Sequence, residues 1–175
     1  RLDRIEREEM LPTHDVVLRA VRPILVACIR QRTDPHGVSA LFEELEAYCA
    51  RHAARAVAPP LSIDYSDDPG EAEHDIEVLV PIRTPIPSSN RVDIRTLEGH
   101  ASMACVVYGG SYAGDQAARE SLLTWIEFNG YRMDGPSREV YLRFGADLEG
   151  YELPDAYLAA SAGEFVTEIQ IPVRR

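Results

Sequence analysis

Apolar and polar residues in the first half of the chain follow a pattern that predicts two strands, a helix and two further strands. The runs Val16–Val21 and Ile24–Ile29 are rich in β-branched residues, which indicates two strands. A helix is expected next, because Asp34 before Pro35 is typical of a helix start. Five apolar residues then recur at helical spacing: Val38, Leu41, Phe42, Leu45 and Cys49. The alternating segment 76–82 predicts a half-buried closing strand.

The same order of elements recurs in the second half, which indicates an internal duplication. Four segments of the first half resemble segments of the second at a nearly constant offset, those that start at Leu18, Ala27, Leu41 and Pro60. The last strand recurs at a larger offset, so the second copy contains an insertion. Residues 13–84 and 90–175 are predicted to form two ββαββ units. The resulting fold class is α+β, with two sheets that meet at a central cleft.

Charge and composition exclude several classes of function. The 18 basic residues, all arginine, oppose 29 acidic ones, and a net charge of −11 does not favour direct contact with nucleic acid. No apolar run is long enough to span a membrane, and the charged start is unlike a secretion signal. No metal site or cofactor site is expected, because the cysteines and histidines are scattered. Three isolated cysteines fit a cytoplasmic protein, and a chain that starts with Arg1 is expected to be part of a longer one.

The segment 138–144 is the most informative for function. Strict alternation predicts that Val140 and Leu142 face the helices, whereas Glu139 and Tyr141 face the other side of the sheet. When Pro60 is aligned with Pro136, the first copy has Ile63 and Tyr65 at the matching positions. The second copy thus has a carboxylate at the position where the first copy has an aliphatic side chain.

If this face lines the cleft, Glu139 is a carboxylate among aromatic rings. A ligand cation would stabilise such a group through charge and through the ring faces. The alternative is a surface glutamate paired with Arg143 or another arginine, and the residues alone do not choose between the two.

Aromatic residues are concentrated in the second copy, where ten of the 13 lie at or after Tyr108. The loop from Tyr108 to Tyr112 contains two glycines, which permit a tight turn and a close approach of a ligand between the tyrosines. An ordinary strand–helix loop is the alternative.

Two stretches resemble the GyrI-like family, which includes effector-binding domains of multidrug-responsive regulators of the MerR and AraC types. They are VVYGGSYAGDQAARESLLTWIEFNGYRMDGPSREVYLRFG and FVTEIQIPV, and the resemblance extends over residues 11–173. It implies paired α/β units of the SHS2 type around a cleft. In drug-sensing members a glutamate on the strand after the Gly-Pro turn meets lipophilic cations among aromatic rings; it matches Glu139, and the turn tyrosine matches Tyr112.

This resemblance implies the effector-sensing domain of a MerR-family regulator that binds bulky, lipophilic, cationic compounds. The expected ligand-binding residues are Glu139, Tyr141, Tyr112, Tyr108, Trp125 and Tyr65. Residues 1–12 are similar to the end of the dimerisation helix of such regulators, so the full-length protein is expected to be a homodimer that binds DNA through a domain outside this chain. No membrane partner is expected.

The sequence departs from the family at two places and leaves two other functions open. The turn reads Gly-Ser-Tyr where Gly-Pro-Tyr is expected, and the insertion Gly145–Glu164 adds Tyr151 and Tyr157. Some relatives hydrolyse strained-ring compounds with a cleft glutamate, which would make Glu139 a general base. A free-standing protein that sequesters drugs, or that inhibits a partner through its acidic surface, is the other alternative.

Overall fold

The computed structural model describes residues 14–145 and 153–175, which form an α+β domain, as predicted. Residues 1–12, with the expected dimerisation helix, and Tyr151 lie outside the described residues. Within the described residues neither α-helix has the length and apolarity of a membrane span. The helices are α1 (Val38–Arg51) and α2 (Asp115–Phe128). The strands are β1 (Val16–Val21), β2 (Ile24–Thr33), β3 (Leu61–Asp64), β4 (His74–Pro81), β5 (Asp93–Leu97), β6 (His100–Gly109), β7 (Arg132–Met133), β8 (Arg138–Gly145), β9 (Leu158–Ala159) and β10 (Val166–Arg174).

The strands follow the order β1-β6-β10-β8-β3-β4-β2-β5, which is nearly symmetric about its centre. Each copy of the repeat contributes its first strand to the other half, because β1 pairs with β6 and β5 pairs with β2. The half-sheets predicted from the repeat join through the antiparallel pair β3–β8 into one curled sheet. Ser62 and Glu139 lie opposite each other at this junction, and they are equivalent positions of the two copies.

The two helices bury equivalent apolar stripes, but their ends are set by different residues. The Asp34 carboxylate accepts hydrogen bonds from the backbone N–H groups of His36 and Gly37, which caps the short turn that leads into α1. The stripe Leu41, Leu45 and Cys49 of α1 is buried against the sheet, and its counterpart in α2 is Ala118, Leu122 and Ile126. Gly130 follows α2 with φ +73°, a conformation that favours glycine.

The predicted orientation of β8 is wrong. Val140 and Leu142 lie in an apolar cluster with Leu61 and Ile63, on the face opposite the helices. Glu139 is directly opposite Ile169, which packs beneath α2, so the Glu139 side chain lies on the face that bears the helices. Alternation distinguishes two faces of a strand, but here both faces are buried, and the pattern does not show which one bears the helices.

Candidate functional site

A cleft of about 760 Å³ lies on the helix-bearing face, above the β3–β8 junction. Helix α1 contributes one wall and α2 with its preceding turn contributes the other, while β3 and β8 form the floor. This volume is within the usual range for small-molecule sites. The duplication thus places a cleft between its two copies.

A short chain of hydrogen bonds crosses the floor from one copy to the other. The Tyr141 hydroxyl donates to Glu139 Oε2 at 3.1 Å, and it lies 2.9 Å from Ser62 Oγ. Because the single Tyr141 proton goes to Glu139, Ser62 is the donor in the second bond. Burial and the neighbouring Glu139 raise the pKa of the Tyr141 hydroxyl, which therefore keeps its proton. The chain holds one carboxylate oxygen of Glu139 in place.

The second carboxylate oxygen of Glu139 meets an arginine from α2. Arg119 Nη2 donates to Glu139 Oε1 at 2.9 Å, and Arg119 Nε donates to Asp115 Oδ2 at 3.2 Å. Arg119 Nη1 also donates to Ser137 Oγ at 3.1 Å. Two carboxylates thus share one guanidinium, which leaves a net charge of −1 at this end of the cleft when both carboxylates are ionised. Glu139 does pair with an arginine, as the alternative interpretation had it, but the partner is Arg119 inside the cleft, whereas Arg143 lies beside Leu158 and Glu164.

Burial raises the pKa of Glu139 to about 7, and the nearby Asp115 carboxylate adds to the shift. Arg119 and the Tyr141 hydroxyl act in the opposite direction, but they do not cancel the loss of hydration. Glu139 therefore changes its charge near neutral pH. A cation placed beside it would favour the ionised form.

Aromatic rings line the cleft around Glu139. Tyr112, which is 46% exposed, meets the Tyr141 ring edge-on with centroids 5.9 Å apart, and it also contacts Phe165 at 5.1 Å. Phe42 of α1 meets the other side of Tyr141 edge-on at 5.6 Å. Ring faces near a carboxylate form a favourable environment for an organic cation.

The two walls differ in chemistry although they derive from one repeat. Val38 and Phe42 on α1 are the repeat equivalents of Asp115 and Arg119 on α2. One wall is thus apolar and the other is charged. A ligand with an apolar body and one charged group would be held in a single orientation.

Carboxylates outnumber cations along the whole cleft. Among the described residues, five carboxylates line it, against one arginine and one histidine: Glu43, Glu46, Asp64, Asp115 and Glu139 against Arg119 and His74. The Asp64 carboxylate lies 2.7 Å from His74 Nδ1 and raises the pKa of that histidine. Glu46 accepts from the buried Arg55, yet burial still raises the pKa of Glu46. The cleft potential is therefore negative, which disfavours anions.

The structure brings Glu139, Tyr141 and Tyr112 together in the cleft and places the other three expected residues elsewhere. Tyr108 is buried beneath α2, with 4% of its surface exposed. Trp125 lies near the end of α2 and stacks on Tyr131 at 5.7 Å. Tyr108 belongs to the core of the second half, and Trp125 packs against the edge of that core. Neither side chain lines the cleft.

Tyr65 lies on the face opposite the cleft, so its expected place beside Glu139 is wrong. Its hydroxyl donates to Glu77 Oε1 at 2.8 Å, and the Arg30 guanidinium lies 3.9 Å from its ring centroid. The cause is the alignment that matched Tyr65 with Tyr141. In the structure Ser62, and not Ile63, is the equivalent of Glu139, and a shift of one position in a strand moves a side chain to the other face.

Sequence reasoning did not identify Ser62, Asp115 or Arg119 as site residues. Asp115 and Arg119 are spaced i, i+4 on α2, which is a recognisable helical ion-pair spacing. That spacing alone is as common on solvated helix faces as in binding sites. What makes it part of the site is the contact with Glu139, which depends on how α2 packs on the sheet.

Fold and cleft together define a duplicated α+β domain with an aromatic, acidic cleft at its centre. The profile of the GyrI-like small molecule binding domain matches residues 14–174, and the chain belongs to the GyrI-like family. A search of curated protein sequences finds no significant match to the chain.

Solved structures with the same fold include a protein–DNA complex, a hydrolase and a ligand complex. The EcmrR chain in its DNA complex matches with TM-score 0.81 at 17% identity over 99% of this chain, which spans only 62% of the EcmrR chain. The isolated EcmrR C-terminal domain matches with TM-score 0.76 at 18% identity, over 93% of this chain and 99% of that one.

Two further proteins share the fold at lower similarity. A hydrolase from Listeria innocua has TM-score 0.61 and 14% identity, over 99% of this chain and 98% of that one. SAV2435 bound to tetraphenylphosphonium has TM-score 0.58 and 12% identity, over 91% of this chain and 94% of that one. At identities of 12–18%, these four matches show a common fold and nothing further.

Proposed function

We propose that this domain senses bulky, lipophilic cations and is the effector-binding domain of a MerR-family transcriptional regulator. The observation that supports it most is the half-buried Glu139, which shares one arginine with Asp115 at the end of an aromatic cleft. With Glu139 ionised the net charge there is −1, and two unit charges about 6 Å apart interact by about 3 kcal/mol at an effective dielectric of 20. An organic cation gains this attraction together with the ring contacts of Tyr112 and Tyr141.

The setting within a regulator is part of the same proposal. The chain spans 62% of the EcmrR chain, which is itself bound to DNA in its structure. A longer protein of this type would act in the cytoplasm as a homodimer and would contact DNA through a segment outside this chain. Ligand binding would then shift a conformational equilibrium only as far as the ligand prefers one state over the other.

Two ions of the same shape and opposite charge test this proposal. Calorimetric titration with tetraphenylphosphonium and with tetraphenylborate at pH 8 is expected to show at least tenfold tighter binding of the cation, which corresponds to about 1.4 kcal/mol. Size and apolar surface are matched, so the difference reports the sign of the cleft potential. Equal affinities, or tighter binding of the borate, would contradict a cation sensor.

Hydrolysis is the second candidate, and one feature of the site favours it. Glu139 has a pKa of about 7 and contacts the Tyr141 hydroxyl, an arrangement suited to a general base that activates water. Two of the structures that share the fold are described as hydrolases from Listeria innocua. Turnover of cyclopropane-containing electrophiles by the wild type but not by Glu139→Gln would assign catalysis. Phosphonium binding without any turnover would favour sensing.

A further inference from the structure

Arg119 occupies the position beside Glu139 that a ligand cation would need. Its guanidinium contacts Glu139 Oε1 at 2.9 Å, and the two side chains are similarly exposed, 30% and 27%. A cation that approaches Glu139 closely therefore competes with a group that the protein itself supplies. This inference rests on the proposed function.

Arg119 keeps other partners if it leaves Glu139. Its Nε and Nη2 atoms lie 3.2 Å and 3.5 Å from the two carboxylate oxygens of Asp115, and its Nη1 donates to Ser137 Oγ at 3.1 Å. Asp115 lies one helical turn before Arg119 on the same helix, so that contact persists when α2 shifts. Glu139 likewise keeps its hydrogen bond from Tyr141. The exchange of Arg119 for a ligand cation thus leaves every charged group with a partner.

We propose that Arg119 is an internal counter-ion that a cationic ligand displaces from Glu139, with Asp115 as the acceptor that retains the displaced guanidinium. Arg119 then sets how strongly the cleft holds cations. Because the Arg119–Glu139 ion pair joins α2 to β8, ligand binding also breaks one polar contact between the helix and the sheet.

A double-mutant cycle on tetraphenylphosphonium binding tests this. Arg119→Gln removes the competitor and is expected to tighten binding about two- to fivefold, the upper part of the range for a partly exposed ion pair. Asp115→Asn leaves Glu139 as the one carboxylate partner of Arg119 among the described residues. The substitution is therefore expected to weaken binding more in the wild type than in the Arg119→Gln background. Circular dichroism of each variant verifies that the domain folds.

Arg143→Gln is the matched control, because it removes the same charge from β8 outside the cleft; a change below twofold is expected. Unchanged or weaker binding by Arg119→Gln would overturn the inference, since Arg119 would then be irrelevant or would position Glu139. Equal tightening by Arg143→Gln would also overturn it, because the gain in affinity would then come from the loss of any positive charge and not from the position of Arg119. Failure of the proposed function looks different: the wild type and all variants would not bind the phosphonium, or Glu139→Gln would bind it as the wild type does.

Discussion

Replacing Glu139 by Gln is expected to weaken tetraphenylphosphonium binding about tenfold to a hundredfold at pH 8. The substitution keeps the size of the side chain and removes the charge that faces the ligand. The attraction between unit charges about 6 Å apart is about 3 kcal/mol at an effective dielectric of 20, and without Glu139 the remaining pair of Asp115 and Arg119 is neutral. Isothermal titration calorimetry measures the change directly.

Glu43→Gln is the matched control, because Glu43 lines the same cleft but is exposed to solvent. The same loss of charge is expected to change the affinity by less than about threefold there, since solvent screens exposed charges. Equal effects of the two substitutions would mean that the net charge of the cleft matters and the position of Glu139 does not.

The pH dependence gives the same prediction a second readout. Glu139 is ionised above its pKa of about 7 and protonated below it, so wild-type affinity should fall as the pH is lowered from 8 to 6. His74, whose pKa is raised by Asp64, also gains charge at low pH and weakens cation binding in both proteins. The difference between the wild type and Glu139→Gln therefore isolates Glu139, and it should shrink toward pH 6. A difference that does not depend on pH would contradict the assignment.

Truncation of one core leucine in either half is expected to lower the free energy of unfolding by about 2–5 kcal/mol. Leu45 in α1 and Leu122 in α2 are both fully buried and occupy equivalent positions of the two copies. Because the half-sheets form one continuous sheet, each alanine variant should destabilise the whole domain in a single transition. Chemical denaturation followed by circular dichroism measures both values.

Leu123→Ala is the control for this pair, because Leu123 is 39% exposed on the neighbouring position of α2. Its cost is expected to be below about 1 kcal/mol. Two separate transitions in either core variant would show that the halves fold independently, which the β3–β8 pairing argues against.

The duplication and most of the secondary structure could be predicted from sequence, because both copies repeat the same apolar spacing. The helix stripes through Leu45 and Leu122 are examples, and the family resemblance covers the same residues. The exchange of β1 and β5 between the halves could not be predicted, because strand pairing between copies depends on tertiary packing. The same holds for the continuous sheet.

The candidate site could be predicted only in part. Glu139, Tyr141 and Tyr112 were identified, but the side of the sheet was wrong because Val140 belongs to a second apolar cluster on the opposite face. An alignment error of one position placed Tyr65 in the cleft, since side chains of a strand alternate between its two faces. Arg119 was missed because its contact with Glu139 joins a helix to a strand, and only the packing of α2 on the sheet creates it.

A crystal structure of the domain with tetraphenylphosphonium tests the central claim most directly. We expect the ligand in the cleft, with its charged centre beside the Glu139 carboxylate and within about 6 Å of the Tyr112 or Tyr141 ring. Ligand density on the opposite face of the sheet, beside Tyr65 and Glu77, would contradict the account.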